Sequence, residues 1–442
     1  MSRRRMGVER QNFVMGPRAA PLLALLAVVP ALACGRVDNG AASAAAGPEG
    51  GAPSAAAGGA SMNACDNILC PPGKTCFAGT CLPPPAACSG HSPQDDARAL
   101  VIGRGPKAIV IGDWNSDGRA DLATANETDR TVSVLLGCGD GVFAPKVDFP
   151  TGQSPSALAS CDLNADHQPD LVTTSQDYGT LTVLLGNGDG TFVSKGEYRA
   201  GRGRALACAD LSGDGIADLA IANGYSNTVS VFLGVGDGSL TEEVQYPTAG
   251  NAIAVFVGDL DLDGKADLVT GNGDGKDVSA LLNNGDGTFA AHLDHVGTGE
   301  TGSFAIGDLN GDGYLDLGRG DYSPRGATGI GQFSLIPGNG DGTFAPTADF
   351  LPYAEVCAVA TGDLTGDGRL DLVGGTSSGI SVLLGQEDGE LMRGSDQESN
   401  GFCPLALGDV NGDGKLDAAT TTWRDQQAVV TLRFGSGDGT FR

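Results

Sequence analysis

Seven short stretches of the chain place oxygen-bearing side chains at one fixed spacing. They read DWNSDGRAD (113–121), DLNADHQPD (162–170), DLSGDGIAD (210–218), DLDLDGKAD (259–267), DLNGDGYLD (308–316), DLTGDGRLD (363–371) and DVNGDGKLD (409–417). A hard divalent cation takes about six to eight oxygens at roughly 2.3–2.6 Å, and DxDxDG spacing supplies them from one tight loop, as in an EF-hand. The side chains expected to converge are those at positions 1, 3, 5 and 9. They are Asp113, Asn115, Asp117 and Asp121; Asp162, Asn164, Asp166 and Asp170; Asp210, Ser212, Asp214 and Asp218; and Asp259, Asp261, Asp263 and Asp267 in the first four loops. The last three offer Asp308, Asn310, Asp312 and Asp316; Asp363, Thr365, Asp367 and Asp371; and Asp409, Asn411, Asp413 and Asp417. Position 7 adds a backbone carbonyl from Arg119, Ile216, Lys265, Tyr314, Arg369 or Lys415. Glycine at position 6 permits the bend. Loop 162–170 departs, with His167 in place of that glycine and Pro169 after it, while Ser212 and Thr365 are weaker donors at position 3. Loop 259–267 is the richest in carboxylates. Without a cation such carboxylates repel one another. The implied cofactor is Ca²⁺, at about five regular sites and up to seven. The bland reading is that Asp and Gly only shape a turn.

The loops must be held by something that repeats with them. Their first aspartates are 49, 48, 49, 49, 55 and 46 residues apart, and a second marker of the type LLGNGDGTF (184–192) keeps phase with them. A period near 50 is one supersecondary unit. One repeat shows short apolar runs at 252–260, 266–271 and 277–283 and an outer segment at 289–296, bounded by Gly, Asn and Asp. Four strands per unit, seven times over, predict an all-β fold: a seven-bladed β-propeller of four-stranded blades over 98–442. Gly-Asp-Gly predicts a hairpin turn, with the following Phe packed between blades. The last repeat stops before its outer strand, whereas RALVIG (98–103) precedes the first loop and aligns with VDFPTG (147–152). Residues 98–103 are therefore expected to complete the last blade.

The chain before the repeats differs in kind. Residues 1–33 carry basic residues and then PLLALLAVVPALA (21–33), which reads as a secretory signal and is short for a membrane span. Met15 is an alternative start. ALAC resembles the lipobox of bacterial lipoproteins, which implies lipidation of Cys34; ordinary signal cleavage is the alternative. Residues 34–62, rich in Ala, Gly, Ser and Pro, read as a flexible tether about 30 Å long. The stretch 63–90 holds Cys65, Cys70, Cys76 and Cys81, which in an exported chain suggest two disulfides of open pairing. A zinc site is the rival, without the close CxxC pairs of zinc ribbons. The net charge of −27 argues against nucleic acid.

The seven DxxxDG-type loops resemble the FG-GAP or VCBS repeat family, which includes the integrin α-subunit propeller, fungal lectins and bacterial surface proteins. The resemblance implies Ca²⁺ in the loop between strands 1 and 2 of each blade. It also implies a ligand face on the opposite side, built by the 4–1 and 2–3 loops, the longest insertion being 321–330. The chain shows no P-loop or HExxH motif, and it is expected not to be an enzyme. The expected function is an exported, Ca²⁺-stabilised binding module, in the outer membrane or at the cell surface as a lipoprotein, otherwise periplasmic or extracellular. Its partner would be a glycan or a protein. A carbohydrate-active enzyme and a structural scaffold of an envelope complex are the rivals.

Several features invite other readings. Arg319-Gly320-Asp321 spells an integrin-recognition tripeptide, but Asp321 falls in the repeat position of Asn126, Ser175, Asn223 and Asn272. His292 and His295 could form a metal pair but lack a third ligand. Cys357 and Cys403 each precede an acidic loop by six residues, which suggests a disulfide between adjacent blades. Cys88, Cys138, Cys161 and Cys208 cannot be paired from spacing. Arg199, Arg202 and Arg204 form a basic spot on an acidic chain.

Overall fold

The computed structural model describes residues 75–77, 80–82, 99–273, 278–296, 303–321, 331–353, 356–376, 379–398, 403–424 and 427–442. The signal, the tether and Cys34 lie outside them, as does the side-chain chemistry of Cys65, Cys70, Cys76 and Cys81. Two short strands, Thr75–Phe77 and Thr80–Leu82, pair with Cys76 opposite Cys81.

The rest forms seven antiparallel four-stranded sheets, and no helix occurs among the described residues. Blade 1 runs outward through Pro106–Gly112, Asp121–Asn126, Thr131–Leu135 and Val147–Pro150. Blades 2 to 7 start from the inner strands Pro155–Cys161, Gly203–Ala209, Ala252–Gly258, Ser303–Gly307, Val356–Gly362 and Leu405–Gly408. Ala99–Val101 is the outer strand of blade 7. It pairs with Gln427–Arg433, Ala99 opposite Thr431 and Val101 opposite Val429, as the repeat phase predicts.

Packing explains why the blades close into a ring. The second strand of blade 1, DLATAN, is buried at every residue, as are its counterparts in blades 2, 3 and 4. A strand covered on both faces reads as a nearly continuous small or apolar run. Seven hydrophobic clusters fill the structure, each drawing on two neighbouring blades. One joins Ile111 and Leu122 of blade 1 to Val430 and Leu432 of blade 7, so the seam is packed like any other interface.

The outer segment expected at 289–296 is shorter in the structure. Only Leu293–His295 pairs as a strand, while Phe289 leaves the sheet, bridges Asn283 and packs in the cluster between blades 3 and 4. Burying the ring outweighs extending the ladder.

Candidate metal loops and the opposite face

All seven acidic loops join strands 1 and 2 on one face of the ring and share one hydrogen-bond pattern. The position-1 carboxylate accepts backbone N–H groups from inside the turn. In blade 5, Asp308 Oδ1 takes Gly311 N at 2.7 Å and Oδ2 takes Gly313 N at 2.9 Å. The Oδ2 of Asp113, Asp210, Asp259, Asp363 and Asp409 takes the position-6 N–H in the same way. Position 5 accepts the N–H of position 7, as Asp312 does from Tyr314 at 2.9 Å. Position 3, where it is Asn, accepts the N–H of position 5, as in Asn310 to Asp312 at 2.9 Å and Asn411 to Asp413 at 2.8 Å.

Position 9 does more than the spacing suggests. Asp316 is fully buried; its Oδ2 accepts Leu309 N at 3.0 Å and its Oδ1 accepts Gly338 N at 2.8 Å. Gly338 begins the hairpin between strands 3 and 4, so one carboxylate clasps the acidic loop to that hairpin. Asp121, Asp170, Asp218, Asp267, Asp371 and Asp417 repeat this clasp. Burial pushes all seven carboxyls up, Asp121, Asp316 and Asp417 to about 7 and Asp170 and Asp267 to about 6.

The residues fit a hard cation. The donors are oxygens throughout, and in blade 4 carboxylate oxygens of Asp259, Asp261 and Asp267 lie within 4.8 Å of one another. In blades 2 and 3, Asp162 Oδ1 and Ser212 Oγ are buried without a hydrogen-bond partner. Against this, position-7 bases reach back to position 5: Arg119 to Asp117 at 3.2 Å, Arg369 to Asp367 at 2.6 Å, and Lys265 to Asp263. Lys265 holds Asp263 below the usual carboxylate range, while burial and then Asp263 and Asp259 raise Asp261.

Loop 162–170 keeps the common backbone despite its sequence. His167 takes φ +65°, the left-handed conformation that glycine takes elsewhere, and its N–H donates to Asp162 Oδ2 at 2.8 Å. Position 4 is left-handed too, and Ser116, Ala165 and Leu262 adopt it without glycine. Position 2 is the other residue that ligand spacing overlooks. Trp114, Leu163, Leu211, Leu260, Leu309, Leu364 and Val410 are all buried, plugging the blade interfaces beneath the loops. The apolar residue after each first aspartate was the available signal.

The Gly-Asp-Gly turns extend this face from blade to blade. Gly190 N donates to Trp114 O at 3.0 Å and Gly287 N to Leu211 O at 3.0 Å, and Gly238 and Gly342 do likewise, so these four turns dock on the acidic loop of the preceding blade. At Gly238 a Cβ would run into Leu185 of blade 2. The phenylalanine after the turn is buried at Phe192, Phe289 and Phe441, as expected.

The opposite face is less regular. A polar chain recurs beneath it: Asn126 Nδ2 to Ser133 Oγ at 2.8 Å and Ser133 to Asp148 at 2.6 Å in blade 1, with Asn272, Ser279 and Asp294 in blade 4. In blade 5 the same place holds Arg319 and Asp321, paired at 2.9 Å with Arg319 only 1% exposed. The RGD tripeptide is therefore an internal ion pair. His292 bonds Asp294 at 2.6 Å and His295 lies 3.3 Å from Thr347, so their partners are separate. Cys357 and Cys403 form the expected disulfide between blades 6 and 7. Cys161 and Cys208, unpaired by spacing, bridge blades 2 and 3, and Cys138 is disulfide-bonded as well.

No curated protein matches the sequence. Among solved structures, BBS1N in complex with ARL6DN, soaked with lead, aligns with a TM-score of 0.53 at 14% identity, over 75% of this chain and 93% of that one. The mercury-soaked form gives 0.53 at 12%, over 77% and 96%. An Agrocybe aegerita lectin specific for non-reducing terminal N-acetylglucosamine gives 0.48 at 19%, over 75% and 85%. The BBS1N likeness concerns the fold alone. FG-GAP-like repeats match residues 113–173, 162–221, 210–270, 259–318 and 363–420. Those stretches cover more than half of the sequence and coincide with the loop-bearing blades, and the chain belongs to the FG-GAP-like repeat family.

Proposed function

We propose that this propeller is an exported, Ca²⁺-stabilised recognition module, held at a bacterial cell surface through lipidated Cys34 and the tether 34–62. Its partner is a glycan or a protein, bound on the face opposite the acidic loops without a catalytic step. An FG-GAP propeller is a binding or scaffold module in its architecture, and the finer reading rests on one observation: the two faces of the ring are built differently. The acidic-loop face repeats one set of backbone hydrogen bonds seven times. The other face varies from blade to blade, which is where a rigid scaffold can carry specificity. Ca²⁺ in the loops would neutralise the carboxylates and fix the first hairpin of each blade.

The test is a glycan and envelope-polysaccharide array probed with the full chain, with Ca²⁺ and with a chelator. Calcium-dependent retention of a defined glycan that is released unaltered supports the reading. Cleavage of the glycan would replace it with an enzyme. Loss of all binding by a folded, Ca²⁺-loaded protein, to glycans and to envelope protein extracts alike, would overturn it.

A further inference from the structure

We propose that the surface over blades 2 and 3, on the face opposite the acidic loops, binds an acidic glycan through Arg202, Arg204, Tyr178 and Tyr225. This rests on the recognition reading above and gives it a site and a ligand chemistry.

Charge singles out the place. The chain carries −27, and more than half of the described lysines and arginines of the ring lie against a carboxylate. In blade 1, Lys107 lies 3.3 Å from Glu127 and Arg104 lies 2.7 Å from Asp129. Blade 3 has the same register, with Ala205 opposite Ala222 as Ala108 is opposite Ala125. Arg204 therefore stands where Lys107 does, but Gly224 and Ser226 replace Glu127 and Asp129. The stem of Arg204 lies across Gly224 and leaves no room there for a Cβ. Among the described residues Arg199, Arg202 and Arg204 form no ion pair. The blade 3 loop has lost both of the acids that cancel its bases.

Aromatic rings occupy the same patch. Tyr178 is 57% exposed and Tyr225 63% exposed, on the 2–3 loops of blades 2 and 3. The Arg202 guanidinium lies 5.6 Å from the Tyr225 ring centroid, and Gln176 Nε2 donates to the Tyr225 hydroxyl at 3.1 Å. This cation–π contact leaves the guanidinium N–H groups for a carboxylate or sulfate. Exposed rings suit the C–H faces of sugars, and the arginines suit their acidic groups.

The experiment titrates the full chain with uronate hexasaccharides from the array, each beside its carboxyl-reduced counterpart, and with a polyglutamate peptide. The acidic sugar should bind at least tenfold more tightly than the reduced one, and more weakly as salt is raised. Arg202→Ala/Arg204→Ala and Tyr225→Ala should each weaken it at least tenfold with the melting temperature unchanged. Arg433→Ala, in blade 7 at the acidic-loop end of its strand, should have no effect. If the array yields a glycan whose binding ignores these substitutions, or that binds equally when carboxyl-reduced, the site falls and the recognition reading stands. Polyglutamate binding with the same mutational profile and no binding of acidic sugar would also overturn the glycan assignment. If nothing binds anywhere on the folded chain, both fall.

Discussion

The two faces of the ring solve different problems with the same chain. On the acidic-loop face, seven unequal sequences converge on one backbone, and His167 and Leu262 accept left-handed φ to do so. On the other face, one place in the repeat holds Asn126 in blade 1, Asn272 in blade 4 and a buried Arg319–Asp321 pair in blade 5. The first face is fixed because every loop is clasped by its own position-9 aspartate, and those of blades 1 to 4 also by the next blade's turn. A residue clasped in two directions cannot vary without loosening a blade interface, whereas a loop tip can.

Removing a clasp should break the comparison hardest. Asp316→Ala strips the partner from two buried N–H groups, of Leu309 and Gly338, and should cost about 3 kcal/mol or more in urea denaturation. Asp129→Ala, which breaks an exposed pair on the other face, should cost under about 1 kcal/mol. Equal losses would show that the faces are not mechanically distinct.

Cation removal comes next. A site held at 100 times its dissociation constant contributes about 2.7 kcal/mol, so a chelator should lower the melting temperature by several degrees. Asp261→Ala should remove part of that response, and a chelator without effect would leave the loops as turns.

pH should act on the same carboxyls. Their folded values lie above the ordinary carboxylate range, so the folded, cation-free chain holds protons that the unfolded chain releases. That stability is complete below about pH 4 and is lost as pH rises through about 7. In chelator the protein should therefore melt higher at pH 5 than at pH 7.5. With Ca²⁺ the order should reverse, because protons and the cation compete for the same oxygens.

Two smaller effects sharpen the contrast. His167→Gly relieves a left-handed side chain and should stabilise by about 0.5–1 kcal/mol in calorimetry. Tyr225→Ala, on an exposed tip, should change stability by no more than about 0.5 kcal/mol.

Much of this was legible in sequence because it repeats. The four-strand period, the closing strand near Ala99 and the Cys357–Cys403 bond all follow from phase alone. What escaped reading depends on partners that spacing does not reveal. The clasp made by Asp316 needs Gly338, in a hairpin 22 residues on. The Cys161–Cys208 bond joins residues one and two places before their loops, an almost equal phase that could have disclosed it. The outer segment at 289–296 carried strand character, but Phe289 was worth more in the core than in a ladder.

Closure by Ala99–Val101 has a consequence in time. Its partner, Gln427–Arg433, lies at the far end of the repeats, and no described strand pairing spans more of the sequence. During folding this strand has nowhere to go until Gln427–Arg433 is in place, and bringing such distant segments together is slow. Until then blade 7 shows a bare edge to any neighbouring chain. The interval before Ala99–Val101 engages thus leaves this protein open to misassembly, and the speed of that single pairing sets how long the hazard lasts.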